Sequence, residues 1–427
     1  MLIQRLARFD PPTVAWAIVT GGSVGRLALG FVASVSIARG LGVADFAIYA
    51  LLGAMGGIAG VLGDPGLTQA GVKRVAEAWS TESPLARDRA TSFFWLRCAA
   101  ILPVVAGGAL LAVPLARWVL GYPDIVVLVA VAFVGVGATA ASGALTAVLQ
   151  ATGRFGRLSL VILVNSGLTA ILSLALAGSG QLTLLSAILV LGAGTSVVSL
   201  VLGWHFLPWL DGLLPRPPLP KLRAEAAALF RFGRWLWVAD LLATVTAQLD
   251  VLLINVWSGL PVVGAYALAL NLASKADVVN HSLYTVLLPT ASSLRGPAEV
   301  RRYVRRSVLR SGVIGLAFVP LFPLAGPLIT LFYGPAYHAA IVLFQLLLAV
   351  VLFDVVATPL TLLAFSAERP GLVASADALR LAVLVLVGFW LIPTHGALGA
   401  VIARAASRIA GALLILVLLA RSRPGSS

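Results

Sequence analysis

Charged residues are scarce in this chain of 427 residues. Asp, Glu, Lys and Arg together make up 11% of it, against roughly 25% in a typical soluble domain, and hydrophobic residues make up 60%. The mean hydropathy is +1.02. So few charges cannot cover a water-facing surface, which excludes a soluble globular protein. The composition therefore predicts an all-α polytopic membrane protein.

Groups that carry chemistry in many enzymes are also missing. Cys98 is the only cysteine, which excludes an internal disulfide. The sequence holds no Gly-rich Walker loop, no HExxH motif and no Cys/His cluster, so we expect no bound nucleotide, no metal ion and no other cofactor. The predicted outer loops are too short for a catalytic domain. We therefore expect a protein that is not an enzyme and that has no catalytic residues.

About twelve apolar stretches are long enough to cross a membrane as helices of about 20 residues. The first follows a basic start, as in a signal peptide, but it continues to about residue 37, so we expect it to be retained. The stretches lie near residues 13–37, 46–70, 92–116, 124–149, 157–178, 182–204, 232–256, 263–289, 311–333, 340–366, 370–392 and 397–420.

Basic residues fall almost entirely on one side of this arrangement. If the N-terminus is cytoplasmic, the outer loops contain only Arg39 and Arg117, whereas the inner loops hold clusters such as Arg301, Arg302 and Arg305. Because Lys and Arg in short loops stay in the cytoplasm, this bias predicts that both termini are cytoplasmic. It also accounts for the formal net charge of +14 without a nucleic acid as partner.

The two halves of the chain share short motifs. The stretch "LGVADFAIYAL" (41–51) matches "SGLPVVGAYAL" (258–268), and "LQATGRFG" (149–156) matches "AFSAERPG" (364–371) at nearly the same offset. Six spans per half give both copies the same orientation, which is the parallel repeat found in transporters that rock around a central site. A chance similarity between apolar helices is the alternative. The repeat predicts an N-terminal lobe (1–206), a Pro-rich basic linker (207–231) and a C-terminal lobe (232–427).

Several ionisable residues fall inside the predicted spans. Each costs about 2.5–3.5 kcal/mol on insertion scales, so they must face one another or a water-filled cavity. They are Arg26, Asp64, Asp240, Asp250, Lys275, Asp277, Asp354, Asp377, Arg380, Arg404 and Arg408.

The eighth span carries a polar face. In "ALNLASKADVVNHSLYT" (268–285), Asn271, Lys275 and His281 project within one arc together with neighbouring hydroxyls, and Asp277 lies at its edge. This pattern indicates a hydrated interior surface. His281 fits proton coupling, or a hydrogen bond to its neighbours with no further role.

Cations at depth with no obvious partner on the same helix suggest an anionic ligand. Arg26, Lys275, Arg404 and Arg408 meet this description, and the planar fork of arginine suits a phosphate. Arg380 stands three residues after Asp377, so these two fit either a structural ion pair or a site.

The segment "RGPAEVRRYVRRSVLR" (295–310) predicts a basic helix on the cytoplasmic side. Such a helix binds anionic lipid headgroups and sets the topology, or it captures a lipid-linked phosphate.

Five ordered motifs over nearly the whole chain carry a family resemblance. They are "ARGLGVADFAIYALL", "LGDPGLTQAGVKRVAE", "LQATGRFGRLSL", "QLDVLLINVWSGLPVVGAYALALNLA" and "LIPTHGALGAVIARAASRIAGALL". With these motifs the chain resembles the multidrug/oligosaccharidyl-lipid/polysaccharide exporter superfamily, and within it the oligosaccharide flippase branch. Twelve spans rather than fourteen argue against its lipid II flippase branch.

The resemblance implies two six-helix lobes around a central cavity that opens alternately to each side of the bacterial inner membrane. It implies a substrate, an undecaprenyl-pyrophosphate-linked oligosaccharide, that moves from the inner to the outer leaflet, with membrane lipids and polysaccharide assembly machinery as further partners. The alternatives are a cation-coupled multidrug antiporter of the same fold and a membrane sugar polymerase or ligase.

The resemblance implies that Arg26, Lys275, Arg404 and Arg408 contact the headgroup and that Asp250 and Asp354 form gating or coupling pairs, and the polar pattern of the spans adds four further residues to these two sets. The predicted substrate-binding residues are Arg26, Asn271, Lys275, Arg380, Arg404 and Arg408. The predicted gating or coupling residues are Asp250, Asp277, His281 and Asp354.

Overall fold

The computed structural model describes residues 12–81, 83, 85–206, 217–280, 283, 287, 291, 296–363 and 370–421. These residues are helical nearly throughout, and no strand occurs among them. The main helices of the first half are α1 (Pro12–Leu62), α2 (Leu67–Ser80), α3 (Ala86–Leu110), α4 (Val126–Ala151), α5 (Phe155–Gly178) and α6 (Thr195–Phe206). Those of the second half are α7 (Leu219–Trp257), α8 (Leu260–Ala276), α9 (Pro297–Leu316), α10 (Leu321–Phe332), α11 (Ala340–Thr361), α12 (Pro370–His395) and α13 (Ala397–Arg421).

Helix α1 is too long for one membrane crossing and is broken at Gly42. Its 51 residues would extend about 75 Å at 1.5 Å per residue, more than twice the hydrocarbon thickness. Gly42 has φ 76° and ψ 175°, a backbone conformation that glycine adopts without the steric penalty of a side chain. The break separates the first two predicted spans, which were expected at 13–37 and 46–70.

The number of membrane helices agrees with the sequence. By length and composition, ten helices of the described residues can cross a membrane, and the number is eleven if α9 and α10, which are bent by 41°, are counted as one span. Residues 21–62 are counted once among the ten although they hold two predicted spans. The predicted all-α fold of about twelve membrane helices is therefore confirmed.

The chain divides into two compact units. The first unit contains the residues up to Leu41 together with Leu51–Leu241, and the second contains Gly42–Ala50 together with Leu242–Ser427. Helix α7 starts at Leu219, inside the segment predicted as a linker, because its first turns form ion pairs within the first unit. Lys221 Nζ lies 3.0 Å from Asp88 Oδ2, and Glu225 Oε2 lies 3.2 Å from a guanidinium nitrogen of Arg74. Residues 207–216 lie outside the described residues, and the division into lobes 1–206 and 232–427 stays a prediction.

The core of the first unit is formed where α2, α3, α4, α5 and α7 meet. Val75, Phe93, Leu145, Val161 and Leu229 are buried together there. In the second unit the short segment 42–50 packs on α8, so closely that a Cβ on Gly264 would meet the Val43 carbonyl oxygen at 2.3 Å. Each unit therefore has an apolar interior of its own into which polar groups can be built.

Candidate functional site

The second unit contains a set of ionised and polar side chains on five helices, which we call the polar network. Helix α7 supplies Asp250, α8 supplies Tyr266, Asn271 and Lys275, and Asp277 and Asn280 follow α8 directly. Helix α11 supplies Asp354 and Thr358, α12 supplies Asp377 and Arg380, and α13 supplies Arg404, Ser407 and Arg408.

Arg404 and Asp250 form the most enclosed part of the polar network. Arg404 Nη2 lies 2.6 Å from Asp250 Oδ2, and the Asp250 side chain has 0% of its surface exposed. Arg404 also donates from Nε to Asp250 at 2.7 Å and from Nη2 to the Ala247 carbonyl at 2.8 Å. The Tyr266 hydroxyl donates to the same carboxylate oxygen, and Asp250 Oδ1 accepts from the Val251 amide at 2.9 Å. Both charges are therefore compensated, as burial of an ion pair requires.

Arg408 and Asp354 form a second, looser pair one turn further along α13. Arg408 Nε lies 3.4 Å from Asp354 Oδ2, and 30% of the Arg408 side chain is exposed. Asp354 also experiences the charges of Asp277, Arg380 and Arg404. Because its contact is longer and its side chain more exposed, the Arg408 guanidinium can change partners more easily than that of Arg404.

Hydrogen bonds join Asp277 to the region of Asp354. Asn280 Nδ2 donates to Asp277 Oδ1 at 2.6 Å. The Thr358 hydroxyl lies 3.3 Å from Asn280 Oδ1 and 2.8 Å from the Asp354 carbonyl oxygen. A displacement of the segment after α8 would therefore disturb the hydrogen bonds around the Asp354 backbone.

Asp377 and Arg380 form the local ion pair that their spacing predicts. Arg380 Nη1 lies 2.8 Å from Asp377 Oδ1. The Arg380 side chain runs across Gly411 of α13, where a Cβ would meet Arg380 Nε at 2.3 Å. Ser407 donates to the Arg380 carbonyl at 2.7 Å. This geometry favours a structural role, in which the pair holds α12 against α13.

Lys275 differs from the arginines of the polar network. Its ammonium group donates to the Asn271 amide oxygen, one helical turn earlier. Among the described residues no carboxylate lies within 4 Å of it. The direct contact of the Lys275 ammonium group is therefore a neutral amide and not a carboxylate of the described residues.

Two further predicted residues lie apart from the polar network. Arg26, on α1, is exposed in the first unit and forms no ion pair with a described residue. His281 lies outside the described residues. The assignment of all these residues to substrate binding, gating or coupling stays a prediction.

The formal charges of the polar network balance. The sequence emphasised its cations, but each arginine lies beside an acid. Four cations, Lys275, Arg380, Arg404 and Arg408, stand against four acids, Asp250, Asp277, Asp354 and Asp377, and the three arginines form ion pairs with Asp377, Asp250 and Asp354. Ion pairs within the unit therefore offset much of the free-energy cost of placing these charges in a membrane, as the presence of both signs in the sequence indicated.

The first unit contains an ion pair whose basic partner the sequence did not reveal. Arg97 Nε lies 3.3 Å from Asp64 Oδ2 and 3.2 Å from the Thr68 hydroxyl, while Nη1 donates to the Gly63 carbonyl at 2.9 Å. Asp64 Oδ1 accepts from the Thr68 amide at 3.0 Å, so Asp64 caps α2. Arg97 lies near the start of the third predicted span, where its position alone does not indicate burial, yet only 8% of its surface is exposed.

Tyr266 is a second residue that the sequence analysis missed as part of the site. It is fully buried and binds Asp250. Its recurrence in the repeated Tyr-Ala-Leu motif was the available signal. Among the described residues, no group of His, Cys, Asp and Glu could hold a metal ion.

Similarity to solved structures identifies the class of fold. The lipid II flippase MurJ, in an inward closed conformation, matches with a TM-score of 0.72 at 13% identity, over 95% of this chain and 87% of that one. The MATE transporter VcmN of Vibrio cholerae matches with a TM-score of 0.64 at 17% identity, over 96% of both chains. The chain is thus a multi-pass membrane protein with the fold of these transporters.

Sequence comparison then identifies the family. A family model described as polysaccharide biosynthesis protein matches residues 36–342, so the chain belongs to this family. Together with the fold, this membership confirms the exporter superfamily that the motifs indicated. A protein of Haloferax volcanii named probable flippase AglR is 25% identical over 198 residues, which are 45% of this chain and 42% of that relative. The chain thus matches less than half the length of this relative.

Proposed function

We propose that the protein is a transporter that flips an undecaprenyl-pyrophosphate-linked oligosaccharide from the inner to the outer leaflet by alternating access. It acts in the cytoplasmic membrane of a bacterium during polysaccharide biosynthesis, with both termini in the cytoplasm. Membrane lipids and polysaccharide assembly machinery are its further partners. The family of polysaccharide biosynthesis proteins and the relative named as a probable flippase support this proposal.

The observation that carries the proposal is the state of Lys275. An ammonium group on a membrane helix is costly unless it is compensated, and here its direct partner is a neutral amide. A phosphate oxygen of a passing headgroup would supply the missing negative charge. Asn271, which holds the Lys275 side chain, would position it for this contact.

The remaining predicted residues take different roles in the proposal. Arg26, which belongs to the first unit, is also a proposed substrate-binding residue. Arg408 releases Asp354 and binds the anion when substrate enters, which the 3.4 Å contact and partial exposure support. Arg404 and Arg380 are held by Asp250 and Asp377, so they position the network and contact the headgroup only after these pairs open.

The predicted gating or coupling residues, three acids and one histidine, act when Arg408 leaves Asp354 for the anion. Asp354 is the group that changes partners, and Asp277 follows through Asn280 and Thr358. Asp250 anchors Arg404, and His281 is the proposed proton carrier.

A cation-coupled multidrug antiporter is the second candidate, since a MATE transporter shares the fold. Such a protein needs acidic groups that are available to a cationic ligand. Of the six acids in the predicted spans, four each contact an arginine (Asp64, Asp250, Asp354 and Asp377) and two form no ion pair with an arginine of the described residues (Asp240 and Asp277), so most of the acidic groups are already paired, which argues against this candidate.

The proposal is tested with purified protein in proteoliposomes that contain a fluorescent polyprenyl-pyrophosphate-linked oligosaccharide. The measurement is the rate at which a membrane-impermeant quencher reaches the probe. We expect wild-type protein to make the inner-leaflet probe accessible, Lys275→Met to lose at least tenfold in rate, and Lys275→Arg to retain most of it. Lys221→Met, which removes an exposed and paired lysine, serves as the matched control.

Two outcomes contradict the proposal. A wild-type rate equal to that of empty vesicles would refute the flippase activity. An unchanged rate in Lys275→Met would refute the contact between Lys275 and the headgroup. In cells, loss of the protein should accumulate lipid-linked repeat units on the inner face. Unchanged glycolipids with raised sensitivity to cationic dyes would support the antiporter instead.

A further inference from the structure

Helix α9 has two faces of opposite character. Tyr303, Ser307 and Ser311 are buried and follow one another every four residues. Near the start of the helix the buried face packs on Leu362 and Leu363, at the end of α11. At 100° per residue, the opposite half of the helix carries Arg301, Arg302, Arg305 and Arg306, and Arg310 projects at the border of the buried face; all five arginines are exposed.

The exposed half changes from charged to apolar along its length. Leu309, Val313 and Leu316 fall on the same side as the arginines and are 68%, 61% and 65% exposed. Helix α9 continues into α10, and the two together are long and apolar enough to cross a membrane. If α9 and α10 cross the membrane together, the apolar end of this face would lie among lipid chains and the arginine end at the level of the headgroups, where long basic side chains are stable.

We call these five exposed arginines the arginine face. None of the five forms an ion pair with a described residue. Glu299, in the first turn, is the only acid of α9. In the first unit, by contrast, Glu225 contacts both Arg74 and Arg89. The arginine face therefore presents its guanidinium groups outward, available to an external anion.

We propose that the arginine face of α9 binds the headgroups of anionic phospholipids, with their acyl chains along Leu309, Val313 and Leu316. The guanidinium fork binds phosphate oxygens by two hydrogen bonds. A zwitterionic lipid also has a phosphate, but because it carries no net charge its attraction to the arginines is weaker. The arginines spread over half the helix circumference and about 13 Å of its length. One pyrophosphate could not contact all of them, whereas a layer of several lipid headgroups could. This surface does not depend on the proposed transport of oligosaccharide.

The test measures which lipids remain bound to the full-length purified protein. Wild-type protein is equilibrated with mixed micelles that contain phosphatidylglycerol, phosphatidylcholine or undecaprenyl pyrophosphate, and retained lipid is counted by native mass spectrometry. The variant Arg301→Gln/Arg305→Gln/Arg306→Gln removes three charges from the arginine face. The control Arg39→Gln/Arg117→Gln removes exposed arginines from the predicted outer loops. The variant Arg301→Lys/Arg305→Lys/Arg306→Lys keeps the charge but loses the guanidinium fork.

We expect the wild-type protein to retain phosphatidylglycerol in preference to phosphatidylcholine. The glutamine variant should lose roughly fivefold in association constant for each arginine removed, and the control should resemble wild type. The association constant of the lysine variant should lie between those of the glutamine variant and wild type. Because the lysine variant keeps the charges at the same positions, it also serves as a control for a folding defect. Equal retention of the two phospholipids, or unchanged phosphatidylglycerol retention in the glutamine variant, overturns the proposal. Selective retention of undecaprenyl pyrophosphate through these arginines also overturns it and identifies the face as a substrate-capture surface.

Discussion

Asp250 and Arg404 are 154 positions apart in the chain and share a buried ion pair within the second unit. The carboxylate accepts from the guanidinium, the Tyr266 hydroxyl and a backbone amide. Helices α7, α8 and α13 are therefore joined at one point by charge-assisted hydrogen bonds. Because the interior of the unit is otherwise apolar here, each partner depends on the other for its compensation.

Replacement of Asp250 by alanine should destabilise the second unit severely. The substitution leaves the Arg404 charge buried and unpaired, which costs about 3–5 kcal/mol. The measurement is the thermal unfolding midpoint of the detergent-solubilised protein. The double variant Asp250→Leu/Arg404→Met removes both charges and should recover most of the loss. A single variant as stable as wild type would show that the pair does not hold the helices.

Substitutions of Arg404 and Arg408 should have different effects, although both residues lie on one face of α13. Arg404→Ala should lower the unfolding midpoint, because it leaves the fully buried Asp250 without its counter-ion. Arg408→Ala removes a looser and partly exposed partner, so we expect near-normal folding and at least tenfold slower flipping in proteoliposomes. Wild-type flipping by Arg408→Ala would exclude Arg408 from the substrate path.

Arg97 should contribute more to stability than an exposed basic residue does. It holds Asp64, the Thr68 hydroxyl and the Gly63 carbonyl at the junction of α1 and α2. Arg97→Met leaves these acceptors without their donor, and we expect a loss of about 3–5 kcal/mol in the free energy of unfolding. Lys73→Met, which breaks an exposed pair with Glu77, should change it by less than about 1 kcal/mol. Similar effects of the two variants would refute the structural role of Arg97.

Gly66 should not tolerate a side chain. Its φ is 72°, and an added Cβ would lie 2.2 Å from the Gly233 carbonyl oxygen, so alanine must displace α7 from the start of α2. We expect Gly66→Ala to lower the unfolding midpoint by several degrees. Gly60→Ala is the matched control, since no heavy atom lies within 4 Å of a Cβ there and alanine favours the helix. An equal response of the two variants would argue against this close approach.

The helical fold was predictable from local signals, whereas the pairing of charges was not. Apolar length identified the spans, and the break at Gly42 agrees with the two spans expected there. The spacing of Asp377 and Arg380 predicted their contact because both lie on one helix. The partners of Arg404 and Arg408 lie on other helices, and spacing along one helix carries no information about them. Arg404 and Arg408, which have no acidic partner on their own helix, are therefore compensated by acids on α7 and α11.

The charge balance of the polar network has an electrical consequence. A single elementary charge moved across 100 mV of membrane potential requires about 2.3 kcal/mol of work. In the second unit, Lys275, Arg380, Arg404 and Arg408 are matched in number by Asp250, Asp277, Asp354 and Asp377. A rearrangement that carries these groups together displaces no net charge through the field. The voltage across the bilayer would then do little work on the polar network itself. In a transport cycle it would act mainly on the anion that is carried.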